Sequence, residues 1–107
     1  MSTDVINRIE SEIKNNKIVI FMKGTLDAPQ CGFSAATVEI LKSFPYPFKG
    51  VNILAESDIR EALPDYSNWP TFPQVFIDGK LVGGCDIMHE LRDSGELAGL
   101  LKEAFGK

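Results

Sequence analysis

Apolar residues along this chain follow two spacings, one typical of amphipathic helices and one typical of buried strands. Five segments repeat apolar side chains every three or four residues, which predicts helices. Four apolar runs are too short for helices and rich in β-branched or aromatic residues, which predicts strands. The helical segments are residues 4–15, 32–43, 58–65, 85–94 and 96–105, and the strand segments are residues 17–23, 48–53, 74–77 and 80–82.

The order of these elements is α-β-α-β-α-β-β-α-α, which is typical of an α/β protein. The first strand, the helix after it and the second strand imply a parallel pair with a right-handed crossover. Asp78 and Gly79 separate the last two strands and predict a type I′ hairpin turn. We therefore expect a four-stranded mixed sheet flanked by helices on both faces.

The same pattern predicts which helical side chains face the core. Phe33 and Leu41 fall on the apolar face of the second helix, and Leu97 and Leu100 on that of the last helix. Ser57 stands just before the third helix and is expected to cap its N-terminus.

Length, charge and cysteine content narrow the class of protein. The 107 residues are expected to form one domain, residues 1–107. A net charge of −4 and the absence of a basic run argue against a nucleic-acid partner, and no apolar run is long enough for a membrane helix. Residues 1–4 are polar and acidic, unlike a secretory signal, and there are two cysteines. We expect a reducing, cytoplasmic location.

Cys31 carries the most informative chemistry in the chain. It lies between the first strand and the second helix, where unpaired N–H groups and the helix dipole favour a negative sulfur. A thiol at this position should have a lowered pKa and be reactive or metal-binding. Ser34 occupies the position that a second cysteine would hold in a Cys-x-x-Cys motif. Cys31 therefore cannot form an internal disulfide of that type.

Three motifs resemble the signatures of monothiol, CGFS-type glutaredoxins. They are Cys-Gly-Phe-Ser at residues 31–34, Trp-Pro-Thr-Phe-Pro-Gln at residues 69–74 and Gly-Gly-Cys-Asp-Ile at residues 83–87. Lys-Gly-Thr at residues 23–25 is also similar, although Leu26 follows where the family has proline. The similarity runs from about residue 4 to residue 105 and resembles the single-domain bacterial form. It implies a thioredoxin-like fold.

Two routes are open to a single thiol of this kind. Cys31 can exchange with glutathione through a mixed disulfide, or it can ligate a metal. A [2Fe–2S] cluster takes four thiolates, so one exposed sulfur per chain would require two chains and two glutathione molecules. The resemblance implies this glutathione-bridged homodimer with Cys31 as the cluster ligand.

The resemblance also implies a cellular role in iron–sulfur cluster assembly and iron homeostasis. The protein would pass its cluster to apo iron–sulfur proteins and pair with a BolA-like protein. The alternative is a glutathione-dependent thiol–disulfide oxidoreductase that removes glutathione from proteins through Cys31. On the carrier interpretation, any such enzymatic activity is weak.

The tripeptide glutathione needs a binding site with several different contacts. Lys23 and Arg60 match the family positions that bind the glycine carboxylate, a task suited to the bidentate fork of arginine. Phe72 and Pro73, with Thr71 before them, resemble the family's cis-proline turn. In the cis form the free backbone groups of Phe72 would pair with the cysteinyl backbone of glutathione.

The start of the fourth helix provides the remaining contacts. The N–H groups around Gly84 and Cys85 can hold the γ-glutamyl carboxylate, and the carboxylate of Asp86 would pair with the ammonium group. Cys85 and His89 share a helix face, but the sequence has no second pair that would complete a zinc site. His89 is therefore interpreted as a surface residue, and Trp69 as packing beneath the glutathione site. Whether Cys85 can bridge to Cys31 depends on geometry.

Overall fold

A computed structural model describes residues 3–106, and it confirms the expected four-stranded mixed sheet. Within it the strands follow the order β2-β1-β3-β4. β1 is parallel to β2 and antiparallel to β3, and β3 is antiparallel to β4. The strands are β1 (Ile18–Met22), β2 (Lys49–Asn52), β3 (Gln74–Ile77) and β4 (Lys80–Gly83).

Helices cover both faces of this sheet, as the element order predicted. One face packs against α1 and α3, and the other packs against α2, α4 and α5. None of the helices within residues 3–106 has the length and apolar character needed to cross a membrane. The helices are α1 (Thr3–Asn15), α2 (Gly32–Lys42), α3 (Ser57–Ser67), α4 (Cys85–Ser94) and α5 (Glu96–Phe105).

The central position of β1 in the sheet explains why the sequence of this strand is continuously apolar. Ile20 and Met22 point into the cluster formed with α2, α4 and α5, whereas Val19 and Phe21 point into the cluster formed with α1 and α3. Every residue of β1 is buried. A strand that is covered on both faces has no position at which a polar side chain would be solvated.

The hairpin between β3 and β4 has the turn that its sequence predicted. Asp78 has a φ of 52° and Gly79 a φ of 81°. Positive φ at both central residues is the signature of the type I′ turn, whose twist matches that of the strands.

The third helix differs from its predicted limits. Ser57 is the first residue inside α3, Glu56 holds the cap position, and no side chain caps this end. The helix also continues past Pro64 to Ser67, where Asn68 adopts a left-handed conformation with a φ of 56°. A left-handed residue of this kind ends a helix because it turns the following chain away from the axis.

Two side chains predicted to face the core are exposed instead. Phe33 is 63% exposed and Leu100 is 39% exposed. The buried face of α2 begins at Ser34 rather than at Phe33, and the buried row of α5 continues from Leu101 to Ala104. Helical spacing identified the right helices, but it placed these two residues on the wrong side of the boundary of the buried face.

A tight loop connects β1 to Cys31. Gly24 has a φ of +97°, and a Cβ at this position would lie 2.6 Å from the carbonyl oxygen of Ala28 and 2.6 Å from the amide nitrogen of Gln30. The N–H of Gln30 donates to the carbonyl oxygen of Lys23 at 2.8 Å. The backbone of residues 24–30 therefore folds back on itself with no room for a side chain at Gly24.

We predict that Gly24→Ala is much more destabilising than Gly79→Ala. Both glycines have positive φ, so each substitution should cost about 1–2 kcal/mol of conformational energy. A Cβ at Gly79 meets nothing within 4 Å, whereas at Gly24 it meets two backbone atoms. Overpacking should cost a further 1–3 kcal/mol or so at Gly24. Urea unfolding of the two variants measures the difference, and equal midpoints would contradict this account.

Candidate functional site

Cys31 occupies the N-cap position of α2, as the sequence predicted. Its backbone is extended, with φ −150° and ψ 137°, and its carbonyl oxygen accepts the first helical hydrogen bond from the N–H of Ala35 at 2.9 Å. The side chain is half-buried, and the thiol is free. The sulfur therefore lies where the first turn of the helix presents its unpaired N–H groups.

These surroundings lower the pKa of the Cys31 thiol below its ordinary value. The backbone N–H of Ser34 makes the largest contribution because it favours the negative sulfur, and partial burial opposes it. The N–H of Phe33, the positive charge of Lys23 and the hydroxyl of Ser34 lower the pKa further. Each of these groups stabilises the thiolate, which is the nucleophilic and metal-binding form of cysteine.

Ser34 has a larger role than its sequence position suggested. The side chain is fully buried, and its Oγ accepts a hydrogen bond from the N–H of Lys23 at 3.2 Å. Its backbone N–H and hydroxyl also act on the sulfur of Cys31. Ser34 therefore links the end of β1 to the thiol in the place where a dithiol motif would carry its second sulfur.

A groove of about 630 Å³ lies beside this turn. It brings together all eight residues that the sequence and its resemblance assigned to glutathione, from four separate parts of the chain. Phe33 and Trp69 contribute to its walls. The eight residues are Lys23, Arg60, Thr71, Phe72, Pro73, Gly84, Cys85 and Asp86.

The groove carries charges of both signs. Lys23 and Arg60 are basic, Asp86 is acidic, and the remaining lining residues are uncharged. Arg60 and Asp86 are exposed, whereas Lys23 is half-buried. Such a groove suits an elongated ligand that bears both carboxylate and ammonium groups, because each ligand charge finds an opposite partner.

The loop before β3 forms one wall of the groove. The Phe72–Pro73 peptide bond is cis, which answers the question that the sequence left open. Gln74 is fully buried, and its side-chain N–H₂ donates to the carbonyl oxygens of Trp69 at 2.9 Å and Thr71 at 3.2 Å. The first residue of β3 thus holds the preceding loop against the end of the sheet.

The start of α4 forms a second wall. Gly84 is buried, and a Cβ there would lie 3.1 Å from the carbonyl oxygen of Pro73 and 3.5 Å from Nε1 of Trp69. A Cβ here would press on the cis-proline loop, because the helix start approaches that loop closely. Trp69 is half-buried beside it, and its indole N–H has no hydrogen-bond partner among the described residues.

A second cavity of about 560 Å³ adjoins the groove and has both thiols on its wall. Cys31, Phe33, Cys85 and His89 contribute to its lining. His89 is half-buried rather than fully exposed, and its Nδ1 lies 3.0 Å from the carbonyl oxygen of Cys85 and 3.5 Å from its Sγ. Within residues 3–106 no group of three or more His, Cys, Asp or Glu side chains is arranged to hold a metal ion.

Two residues of the site were not recognised from the sequence. Phe33 was assigned to the core and instead lines both cavities, and Gln74 was not singled out. Ser34 was singled out as the replacement for a second thiol, but its burial and its contact with the N–H of Lys23 were not predicted. A polar residue at the start of the buried run of β3 was a usable signal for Gln74, because buried polar side chains are retained when they hold other groups in place.

Comparison with known proteins agrees with this geometry. The family model described as "Glutaredoxin" matches residues 18–82. A curated relative, "Probable monothiol glutaredoxin 2" of Rickettsia conorii, is 54% identical over 94 residues, which cover 88% of each chain.

Two solved structures extend the comparison to the fold. The solution structure of reduced poplar apo GrxS14 is 48% identical, with a TM-score of 0.86, and covers 96% of this chain and 94% of its own. The crystal structure of a buckwheat glutaredoxin–glutathione complex is 27% identical, with a TM-score of 0.84, and covers 94% and 90%. The fold is thioredoxin-like, as expected.

We predict that Ser34→Ala raises the pKa of Cys31 without restoring the ordinary value of a free thiol. The variant loses the hydroxyl but keeps the backbone N–H of residue 34, which makes the largest contribution. The experiment uses a Cys85→Ser background so that Cys31 is the one remaining thiol. The rate of alkylation by iodoacetamide is measured from pH 4 to pH 10, and the midpoint of the curve gives the pKa.

Ser43→Ala is the matched control because Ser43 lies just past the opposite end of α2. It should leave the midpoint unchanged. An unchanged midpoint in Ser34→Ala would show that the hydroxyl does not act on the sulfur.

Proposed function

The chain belongs to the glutaredoxin family, and from this premise we propose that it is a cytoplasmic monothiol glutaredoxin that carries a [2Fe–2S] cluster. On this proposal, residues 1–107 form one glutaredoxin domain that binds glutathione in the groove. Two copies of the chain hold one cluster as cargo and transfer it to apo iron–sulfur proteins. A BolA-like protein is a further partner.

The observation that carries this proposal is the single activated sulfur at the start of α2. Cys31 has a lowered pKa, and a buried serine takes the place of a second thiol three residues later. Such a sulfur has no neighbouring thiol in a Cys-x-x-Cys motif with which to form a disulfide. It is available to a ligand that arrives from outside the chain, either the sulfur of glutathione or an iron atom.

Glutathione fits the charge pattern of the groove. In the proposed complex, Lys23 and Arg60 bind the glycine carboxylate, while the backbone of Phe72 pairs with the cysteinyl residue. Thr71 and Pro73 complete that wall of the groove. The buckwheat relative crystallised with glutathione supports this assignment, because its chain shares the fold over most of its length.

The start of α4 would bind the other end of glutathione. The N–H groups near Gly84 and Cys85 can donate hydrogen bonds to the γ-glutamyl carboxylate, since a helix N-terminus favours an anion. Asp86 in the first turn would pair with the ammonium group beside it. This arrangement brings the glutathione thiol toward the cavity that Cys31 lines.

The stoichiometry of the cluster follows from the number of sulfurs. Four thiolates hold a [2Fe–2S] cluster. Cys31 supplies one per chain, and the glutathione bound next to it supplies a second. Two chains with two glutathione molecules complete the set, so we propose that the cluster-bound form is a homodimer.

A thiol–disulfide oxidoreductase activity is the second candidate, and the lowered pKa of Cys31 favours it. The Cys31 thiolate would attack the glutathione sulfur of a mixed disulfide, forming Cys31–S–S–glutathione and releasing the substrate thiolate. A second glutathione thiolate would then attack this intermediate, releasing oxidised glutathione and restoring the Cys31 thiolate. This reaction needs one protomer and no metal.

We predict that anaerobic reconstitution with iron, sulfide and glutathione gives a coloured dimer. The visible absorbance and the dimer peak on a size-exclusion column should both disappear in Cys31→Ser and persist in Cys85→Ser. Cys85→Ser is the matched control because both thiols line the same cavity. A wild-type protein that stays colourless and monomeric, yet rapidly reduces a glutathione mixed disulfide, would favour the oxidoreductase instead.

We also predict that Asp86→Asn weakens glutathione binding about fivefold, because one exposed ion pair is lost. Asp93→Asn on the same helix should bind glutathione like the wild type, since Asp93 does not line the groove. Fluorescence of Trp69, which is the sole tryptophan and part of the groove wall, reports the titration. Equal affinities in the two variants would contradict the assignment of Asp86.

A further inference from the structure

Asn52, the last residue of β2, joins the two segments that carry the basic side chains of the groove. Its side-chain Oδ1 accepts a hydrogen bond from the N–H of Gly24 at 2.9 Å and another from the N–H of Leu54 at 3.0 Å. Gly24 directly follows Lys23, and Leu54 lies in the connection from β2 to α3. One amide oxygen therefore ties together two loops that are distant in sequence.

Hydrogen bonds continue from Asn52 to the helix that carries Arg60. The carbonyl oxygen of Asn52 accepts the N–H groups of Ala55 at 3.1 Å and Glu56 at 3.0 Å. The carbonyl oxygen of Glu56 then accepts the N–H of Arg60 at 3.1 Å. The start of α3, which carries Arg60, is thus hydrogen-bonded to Asn52, and so is Gly24.

Lys23 itself lies outside the ladder between β1 and β2. The parallel ladder between β1 and β2 ends at the pair Met22 and Asn52, so Lys23 lies one residue beyond it. The N–H of Lys23 donates to Ser34, and its carbonyl oxygen accepts from Gln30, both on the α2 side of the loop. The bond from Gly24 to Asn52 extends the connection to β2 past the end of the ladder.

We propose that Asn52 is a positioning residue for carboxylate recognition in the groove. It holds the backbone of Lys23 and the start of α3 in one arrangement, so that the two cations act on the same carboxylate. Asn52 lines neither the groove nor the second cavity, and it therefore acts through Lys23 and Arg60. This inference rests on the proposed binding of glutathione.

The test compares two ligands in one variant. Asn52→Ala is titrated with glutathione and with the analogue in which the glycine carboxylate is an amide, with Trp69 fluorescence as the readout. Wild type should prefer glutathione. The variant should bind glutathione about fivefold more weakly, as expected for one lost exposed ion pair, and should bind the amide as the wild type does. Asn7→Ala, an exposed site on α1, is the matched control and should change neither affinity.

Asn52→Ser keeps the test decisive if Asn52→Ala fails to fold. A serine hydroxyl can still accept the N–H two residues ahead, as asparagine does, but it is too short to reach Gly24 across the strands. It should show the same selective loss for glutathione. Equal losses for both ligands, no loss for either, or unfolding of both variants would reduce Asn52 to a structural role and overturn the proposal.

The wild-type protein provides the separate check on glutathione binding. If it binds neither ligand, the proposed function fails. If it binds both ligands equally, the assignment of Lys23 and Arg60 to the carboxylate fails, and the positioning role fails with it. If it prefers glutathione and the Asn52 variants keep that preference, the positioning role alone is overturned.

Discussion

Stabilisation of a negative sulfur by the first turn of α2 is the interaction on which the site depends. The N–H of Ser34 makes the largest contribution, and it acts only because Cys31 holds the N-cap position with an extended backbone. The tight loop at Gly24 brings the chain to that position. The hydroxyl of Ser34 accepts a hydrogen bond from the N–H of Lys23 at the start of the loop and also stabilises the Cys31 thiolate. The geometry of β1, its loop and α2 thereby controls the charge state of one atom.

The groove is built where several chain segments meet at one end of the sheet. β1 leads to Lys23, the loop before β3 provides Trp69 and the cis-proline turn, and α4 begins at Cys85 against that loop. Polar side chains hold these segments to one another, because a loop has no ladder of its own to fix it. Gln74 holds the loop before β3, and Asn52 holds the loop after β1.

Much of the fold and of the site could be predicted because the signals are local. The apolar run of β1, the Asp78–Gly79 turn and the position of Cys31 before a helix each depend on neighbouring residues. The boundary of a buried helical face is different. Phe33 and Leu100 satisfy helical spacing and are nevertheless exposed, because the neighbouring elements cover only part of each apolar face. The contact of His89 with Cys85 is local, one turn back on α4, and follows from their spacing on one helix face.

By itself the sequence determined the element order, the single reactive sulfur and the absence of a second thiol beside it, since these follow from residue identity and spacing. The three motifs also predicted that residues 31–34, 69–74 and 83–87 belong to one site. Only the tertiary structure decided how those residues are held there. The burial of Ser34, the close approach of Gly84 to Pro73 and the reach of Asn52 to Gly24 all join residues from different parts of the chain. Such contacts depend on how the helices and loops pack around the sheet, which spacing along one segment does not specify.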